Sequence, residues 1–272
     1  MTETFSYREA DPDSLGPTWG PSRTHGLIWQ PDWDLPALLD AWDAHLTGPD
    51  DPETAAIVQL PSRETADVLP LVHRGFSPLL VVAERLAGRT SAARPSGVTV
   101  RAATHADLDV AVELNLDTVR YDAQFGMVSE RANTAELLRE ELTGVLDRDH
   151  EAMWLAVSGD TPVGMLFVDM PQHSGWMERY TPARPFAYLA HLGVRPDARG
   201  TGAGSALVAF AHQLLDDAGV ESTLLHHALP NPRSTPFWYS HGYRPAWTFW
   251  VRRPAVRASS GVSAQPERPS GT

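Results

Sequence analysis

The sequence contains neither cysteine nor lysine. The absence of cysteine excludes a disulfide framework and thiolate catalysis, and it favours a reducing compartment, so we expect the protein to be cytoplasmic. The first residues lack the basic and apolar pattern of a secretion signal, and no apolar run approaches the roughly 20 residues that a bilayer span requires. The sequence therefore predicts a soluble protein with no membrane partner.

Basic residues are also few, and all of them are arginine. Asp and Glu number 34 against 22 basic residues, which gives a formal net charge of −12. This balance argues against a nucleic-acid partner and favours cationic or neutral ligands, although the acidity would also serve solubility alone. With 272 residues, of which 42% are hydrophobic, the chain can build one large core or two modest ones.

The most informative segment runs from Leu189 to Gly204. It begins as an apolar strand that ends at Val194, and three glycines then alternate with small residues before an amphipathic helix. Alternating glycines let a ligand approach the main chain, and the first turn of a helix presents free N–H groups. The segment therefore predicts an anion-binding loop. The other interpretation is a glycine-rich turn with only a structural role.

Two common nucleotide-binding loops do not fit this segment. The dinucleotide fingerprint requires a third glycine three residues after the second, but Ser205 follows Gly202 and Leu207 follows Gly204 at that spacing. The phosphate loop of NTPases requires a lysine after its last glycine, and the chain has none.

The pattern Arg199-x-x-Gly202-x-Gly204, preceded by a strand end with Leu192 and Val194, resembles the acyl-CoA pyrophosphate signature of the GNAT superfamily of N-acyltransferases. The sequence predicts one helix from Pro61 to Arg74 and another roughly from Thr134 to Leu146. The predicted order of strands and helices over residues 98–252 is also similar to that family. The resemblance implies an α/β (α+β) fold of the GNAT type, with a mixed central sheet, splayed strands and flanking helices.

A short internal repeat suggests that the N-terminal part is a partial, degenerate copy of the same fold. Gly75-Phe-Ser-Pro and Gly242-Tyr-Arg-Pro are each followed by an apolar strand, which ends at Arg85 or Arg252. The N-terminal copy lacks a glycine loop, so we expect it to be structural. It would either cover the site or mediate a homodimer, and the sequence does not choose between these roles. The predicted organisation is an irregular segment (1–24), a degenerate GNAT-like half (25–86), a linker (87–97), a catalytic GNAT domain (98–256) and a disordered tail (257–272).

The resemblance implies that acetyl-CoA is the acyl donor and binds between two splayed strands and the glycine loop. An asparagine that follows the next strand commonly contacts the cofactor in that family, and Trp238 stands where the family carries a thiol-protonating tyrosine. The implied cofactor-binding residues are Leu192, Gly193, Val194, Arg199, Gly200, Thr201, Gly202, Ala203, Gly204, Ser205, Asn231 and Trp238.

The catalytic candidates are Tyr239 and His191. Tyr239 would be the acid if a local bulge turned it inward, and otherwise it packs or contacts substrate while water protonates the thiolate. His191 is a candidate base, but a structural histidine fits the same position. The adjacent His226 and His227 point to opposite faces of a strand and cannot share a metal ion, so we expect no metal site.

Two loops would overhang the acceptor side of a GNAT fold. Their acidic residues would receive a cation and their aromatic residues would form a wall, unless both loops are merely solvated. The candidate substrate-binding residues are Tyr121, Asp122, Trp176, Glu178 and Tyr180.

The resulting hypothesis is an acetyl-CoA-dependent N-acetyltransferase that transfers the acetyl group directly to the amine of a small-molecule acceptor. The alternatives are a longer acyl donor, an oxygen acceptor, or a non-catalytic acyl-CoA-binding sensor or scaffold.

Overall fold

The computed structural model describes residues 5–47, 49, 51–89 and 97–256, whose strands form a single mixed sheet with helices on both faces. The strands are β1 (Ser6–Glu9), β2 (Arg23–Ile28), β3 (Thr54–Pro61), β4 (Ser77–Leu86), β5 (Thr99–Ala102), β6 (Met153–Ser158), β7 (Thr161–Asp169), β8 (Phe186–Val194), β9 (Ser222–Ala228) and β10 (Arg244–Arg252). The helices are α1 (Gly16–Trp19), α2 (Leu35–His45), α3 (Val68–His73), α4 (Leu108–Asp122), α5 (Thr134–Leu146), α6 (Ala203–Asp217) and α7 (Ser234–Ser240). Short 3-10 turns lie at His105–Asp107, Ala123–Phe125, Gly175–Tyr180 and Pro196–Ala198.

Helices cover the sheet on both faces, as the alternation of side chains along β7 shows. Leu166 and Val168 pack in the core cluster that contains α6. Met165 and Phe167 pack in the cluster that contains α4 and α5. Because successive side chains of a strand point to opposite faces, α6 lies on one side of the sheet and the α4 and α5 pair on the other. No helix in the described part of the chain is long and apolar enough to cross a membrane.

The order of strands across the sheet is β1-β2-β3-β10-β4-β9-β8-β7-β6-β5. The pairs β2 with β3 and β8 with β9 are parallel, and the other neighbours are antiparallel. The last strand of the chain, β10, therefore lies between two strands of the N-terminal half, and β4 lies beside β9. The two halves exchange their final strands, so the predicted boundary at residues 87–97 does not separate two sheets.

Two buried arginines connect the exchanged strands to the opposite half, and they are the two that end the repeated strands. Arg85 on β4 forms an ion pair with Asp216 on α6 at 2.8 Å, and its side chain is only 3% exposed. Arg252 on β10 forms the reciprocal pair with Asp43 on α2 at 2.6 Å. The repeat seen in the sequence thus corresponds to a structural repeat with exchanged strands.

Substituting Asp216→Asn is expected to lower the free energy of unfolding by about 3 kcal/mol, because the Arg85 charge stays buried without its carboxylate. Asp109→Asn is the control, since Asp109 pairs with Arg139 at an exposed site and its loss should cost less than about 1 kcal/mol. Urea denaturation of both variants measures the difference. Equal effects would show that the buried pair contributes no more than a surface pair.

The structure corrects two expectations for the N-terminal half. Residues 1–24, expected to be irregular, include β1, α1 and the start of β2. β1 is exposed along its whole length and is held by main-chain pairing to β2. Its side chains therefore show no alternation of apolar and polar residues from which the sequence could predict a strand. The helix predicted from Pro61 to Arg74 is shorter and spans only α3, because β3 continues to Pro61. Part of the predicted linker, residues 90–96, and the tail 257–272 lie outside the described residues.

Candidate active site

The glycine segment forms an open loop at the N-terminus of α6. Gly200 and Gly202 have φ angles of 82° and 93°, in the left-handed region that favours glycine. No side chain caps α6, so the first-turn N–H groups remain available to a ligand. A Cβ atom built on Gly200 would meet nothing within 4 Å, which shows that the loop borders open space. Main-chain amides and the helix dipole can therefore bind an anion here.

The two parallel strands beside this loop, β8 and β9, separate after a short paired region. They pair only from Phe186 to Tyr188, opposite residues 222–224. After Tyr188, β8 stays hydrogen-bonded to β7, and after Leu224, β9 stays hydrogen-bonded to β4. The edges that β8 and β9 turn toward each other, which we call their inner edges, have no strand partner there. The equivalent pair in the N-terminal half, β2 and β3, stays paired over six residues. Of the two parallel pairs, only the one beside the glycine loop opens.

A β-bulge lies where the strands part, a point that we call the fork. Phe167 pairs with His191 and Val168 pairs with Leu189, so Ala190 has no partner on β7. An inserted residue of this kind bends the strand and redirects its main-chain groups. The fork therefore combines an open strand edge with main-chain groups that do not belong to the β-ladder.

A groove of about 1820 Å³ runs from the glycine loop across the fork to the N-terminal half. We call the part beside residues 199–205 the loop end. The opposite part, between Tyr188 and the N-terminal half, is the far end. Strands β1, β2 and β3 contribute residues to the wall of the far end, including His25 and Gln59. The N-terminal half therefore forms part of the groove.

At the loop end, two guanidinium groups lie against one tyrosine ring. Arg199 and Arg233 lie 4.9 and 5.1 Å from the ring centroid of Tyr121, within the range of cation–π interactions. Arg199 also donates through Nε to the carbonyl oxygen of Val194 at 3.2 Å. These contacts fix positive charge beside the open loop in a protein that is acidic overall.

Asp122 and Asn231 form a second cluster at the loop end. The Asn231 side chain donates to Asp122 Oδ1 at 2.9 Å and accepts from the main-chain N–H groups of Arg233 and Ser234. Burial raises the pKa of Asp122, while this hydrogen bond and the charge of Arg199 act in the opposite direction. The structure thus places Tyr121 and Asp122, predicted to bind substrate, beside the predicted cofactor-binding residues Arg199 and Asn231.

Aromatic side chains surround the fork on its far side. The Tyr188 hydroxyl and His226 Nδ1 are hydrogen-bonded at 3.0 Å. The Trp176 ring lies edge-on to Tyr188, 4.8 Å away, and parallel to His226 at 6.2 Å. Tyr180 meets the edge of His226 at 6.3 Å. The predicted Trp176 and Tyr180 therefore lie together at the far end, with Trp176 still 58% exposed.

Burial sets the protonation states of the pair at the fork. Burial, with smaller contributions from His227 and Arg179, lowers the pKa of His226 to about 4, so its imidazole is neutral near pH 7. Burial and then the charge of Asp169 raise the pKa of Tyr188 well above its usual value, so its hydroxyl keeps its proton. This hydrogen bond therefore joins two uncharged groups at the fork.

Acidic residues that the sequence did not single out also border the far end. Asp169, at the end of β7, forms an ion pair with Arg148 at 2.9 Å and is paired with Tyr188 in the sheet. Glu141 on α5 lines the same wall. One signal for Asp169 was available, since it is a polar residue that ends an apolar strand next to the glycine-loop strand. Glu141 and Arg148 have no such signal, because Glu141 lies on α5 and Arg148 just after it, far from the glycine loop along the chain.

The two predicted catalytic residues lie in different surroundings. His191 lines the groove and is buried against α4, its Nε2 atom has no hydrogen-bond partner, and burial lowers its pKa to about 4. Tyr239 is not among the residues that line the groove, and its ring lies 5.7 Å from His227. The bulge that would turn Tyr239 inward is absent, because the residue lies within the regular helix α7.

Most of the other predicted site residues reach the groove. All of the predicted cofactor-binding residues line it except Thr201 and Ala203, and Trp238 does so from α7. The predicted substrate-binding Glu178 is exposed and does not line it. His226 and His227 lie on opposite faces of β9, yet both border the groove, because it passes through the opening between β8 and β9. Within the described ranges, no group of three or more His, Asp or Glu side chains could hold a metal ion.

The sequence and the fold were compared with those of known proteins, and both resemble acetyltransferases. Residues 117–243 match the acetyltransferase (GNAT) family, whereas no curated protein matches the chain. The fold is similar to a GCN5-related N-acetyltransferase from Sphaerobacter thermophilus, with 15% identity, a TM-score of 0.60, and coverage of 94% of this chain and 79% of that one. It is also similar to a GNAT-family acetyltransferase from Colwellia psychrerythraea, with 12% identity, a TM-score of 0.54, and coverage of 82% and 74%.

The family match covers the glycine loop, the fork and both strands that open there, and the similar structures extend the likeness in fold to most of the chain. The open strand pair and the glycine loop are the features that the sequence resemblance implied. The chain therefore contains an acetyltransferase (GNAT) family domain over residues 117–243.

Proposed function

We propose that the protein transfers an acetyl group from acetyl-CoA directly to the amine nitrogen of a small-molecule acceptor. The observation that carries this proposal is the opening between β8 and β9 immediately beside an uncapped, glycine-lined helix start. An elongated ligand with an anionic diphosphate and a chain of amide groups matches that arrangement.

The residues present fit such a donor. Main-chain N–H groups of the loop and of the first turn of α6 would bind the diphosphate, with Arg199 and Arg233 nearby. The free inner edge of residues 189–194 would pair with the amides of the pantetheine arm. The bound donor supplies an activated thioester, and the main chain at the Ala190 bulge would stabilise the negative charge that develops on its oxygen.

The far end of the groove fits an amine acceptor of modest size. On the wall formed by α5 and the end of β7, Asp169 and Glu141 provide two carboxyl groups beside the guanidinium of Arg148, so the charge at this wall attracts a cationic amine. Trp176 and Tyr180 offer aromatic faces to the body of the acceptor.

The Tyr188 and His226 pair would handle the proton that the nitrogen loses. The neutral imidazole has a free electron pair, and the protonated Tyr188 hydroxyl can pass its own proton to His226 while it accepts one from the amine. A cationic acceptor first releases one proton to solvent, and the departing thiolate takes up a proton in place of the one lost through Tyr188, so protons and charge balance over the whole reaction. This assignment gives Tyr188 and His226 the base role for which the sequence nominated His191.

Thiol release from acetyl-CoA, measured with a panel of amines and with the corresponding alcohols, tests the proposal. We expect release only when an amine is present, together with an acetylated amine in the mass spectrum. Propionyl-CoA and malonyl-CoA serve as donor controls and should react more slowly. Faster release with the alcohols, or with either longer donor, would contradict the assigned acceptor or donor.

A further inference from the structure

The far end of the groove carries charges of opposite sign at two separate places. Asp169 and Glu141 lie near Tyr188, where both charges contribute to the raised pKa of its hydroxyl, after burial itself. Arg179 lies on the other side of the aromatic cluster, with its guanidinium 4.6 Å from the ring centroid of Tyr180. An acceptor that spans both places would meet a negative wall at one end and a positive group at the other.

The hydrogen bonds of Arg179 leave most of its donors unused. Its Nη2 atom donates to Gln59 Oε1 and to the Tyr180 hydroxyl, and the Tyr180 hydroxyl in turn donates to Gln59 Oε1 at 3.0 Å. A guanidinium has five N–H donors in one plane, so the donors on Nε and Nη1 of Arg179 remain available. No carboxylate in the described ranges forms an ion pair with Arg179, and its side chain is exposed on the groove wall.

The partner that holds this arginine in place is neutral. Gln59 lies on β3 in the N-terminal half, and it fixes the guanidinium without compensating its charge. In a chain with a net charge of −12, an arginine held only by an amide, a phenol and an aromatic ring keeps its charge available for an anion from outside.

We infer that the acceptor amine carries a second, anionic oxyacid group, a carboxylate or a phosphate, which binds Arg179 at the junction with the N-terminal half. This inference rests on the proposed function and adds the class of acceptor to it. Tyr180 lies between Arg179 and His226, and His226 is hydrogen-bonded to Tyr188, so roughly two ring widths separate the anion site from the fork. The anionic group must therefore lie several bonds from the reacting nitrogen.

The test compares acceptors that differ only in the anionic group. ω-Amino acids of increasing chain length are assayed beside alkylamines of the same length, and aminoalkyl phosphates form a second arm that distinguishes phosphate from carboxylate. With acetyl-CoA saturating, the wild-type enzyme is expected to show at least a tenfold higher kcat/KM for one anionic series. Equal or better use of the plain alkylamines would overturn the inference while leaving the proposed acetyl transfer intact.

Two variants connect the preference to Arg179. Arg179→Gln removes the charge, and Gln59→Glu keeps the hydrogen-bond acceptor while placing a carboxylate against the guanidinium. Both are expected to raise KM for the anionic amine about tenfold or more and to change kcat/KM for the alkylamine by a clearly smaller factor, with no change in CoA affinity. Arg63→Gln is the matched control, because Arg63 is 86% exposed and lies outside the groove.

Several outcomes would overturn this assignment. If both variants lower the activity toward anionic and plain amines equally, Arg179 has a structural role and does not select an anion. If Gln59→Glu leaves the preference unchanged, the anion is bound elsewhere. If no amine is acetylated although CoA binds, the proposed function fails, and the inference fails with it.

Discussion

Replacing Gly202 by valine is expected to lower the affinity for CoA at least about 100-fold. Gly202 has a φ angle of 93° immediately before α6, and a β-branched side chain strongly disfavours that conformation. A shift of this residue would turn the first-turn N–H groups away from the diphosphate. Hydrogen bonds to a charged group contribute about 1.5 to 3 kcal/mol each, so losing two of them accounts for the expected change.

Gly219→Val is the matched control for this experiment. Gly219 has a φ angle of 70°, follows the other end of α6, and has no atom within 4 Å of a built Cβ. Both variants therefore carry similar backbone strain, and we expect similar decreases in Tm. Calorimetric titration with CoA should show lost binding for Gly202→Val and wild-type affinity for Gly219→Val. Binding by Gly202→Val within threefold of the wild type would refute the role of the loop.

The features that the sequence predicted well are those encoded by neighbouring residues. The glycine loop and its helix follow from a few adjacent positions. The helix predicted from Thr134 to Leu146 has those bounds in the structure, because its apolar stripe is regular and packs on α4. The family resemblance then supplied the order of the C-terminal strands.

The features that the sequence did not predict depend on contacts between distant segments. The exchange of β4 and β10 is set by pairs such as Arg85 with Asp216, which lie 131 residues apart. Tyr188 directly precedes the predicted glycine-loop segment, but its hydrogen bond to His226 depends on where β9 runs and where the two strands part. The contacts of Tyr121 with Arg199 and of Asp122 with Asn231 also depend on how far the end of α4 reaches toward α7, and the sequence gives no measure of that distance.

Substituting Tyr188→Phe is expected to lower kcat about 100-fold, with KM for acetyl-CoA nearly unchanged. The variant keeps the ring that packs against Trp176 and removes only the hydroxyl that is hydrogen-bonded to His226. A positioned proton-transfer group typically contributes a factor of 10² to 10⁴ to the rate, so the lower end of that range is expected. Tyr7→Phe is the control, since Tyr7 lies on the edge strand β1 and is 57% exposed.

The companion variant His226→Ala separates proton transfer from packing. If His226 accepts a proton through Tyr188, added imidazole should restore part of kcat in His226→Ala and none in Tyr188→Phe, because only the first variant keeps the hydroxyl that relays the proton. A purely structural role would give no rescue in either variant, and the losses would appear in Tm as well as in kcat. Retention of more than half the wild-type kcat by Tyr188→Phe would remove the pair from the mechanism. His191 would then be the nearest remaining candidate, because it lines the same groove and its Nε2 atom has no partner.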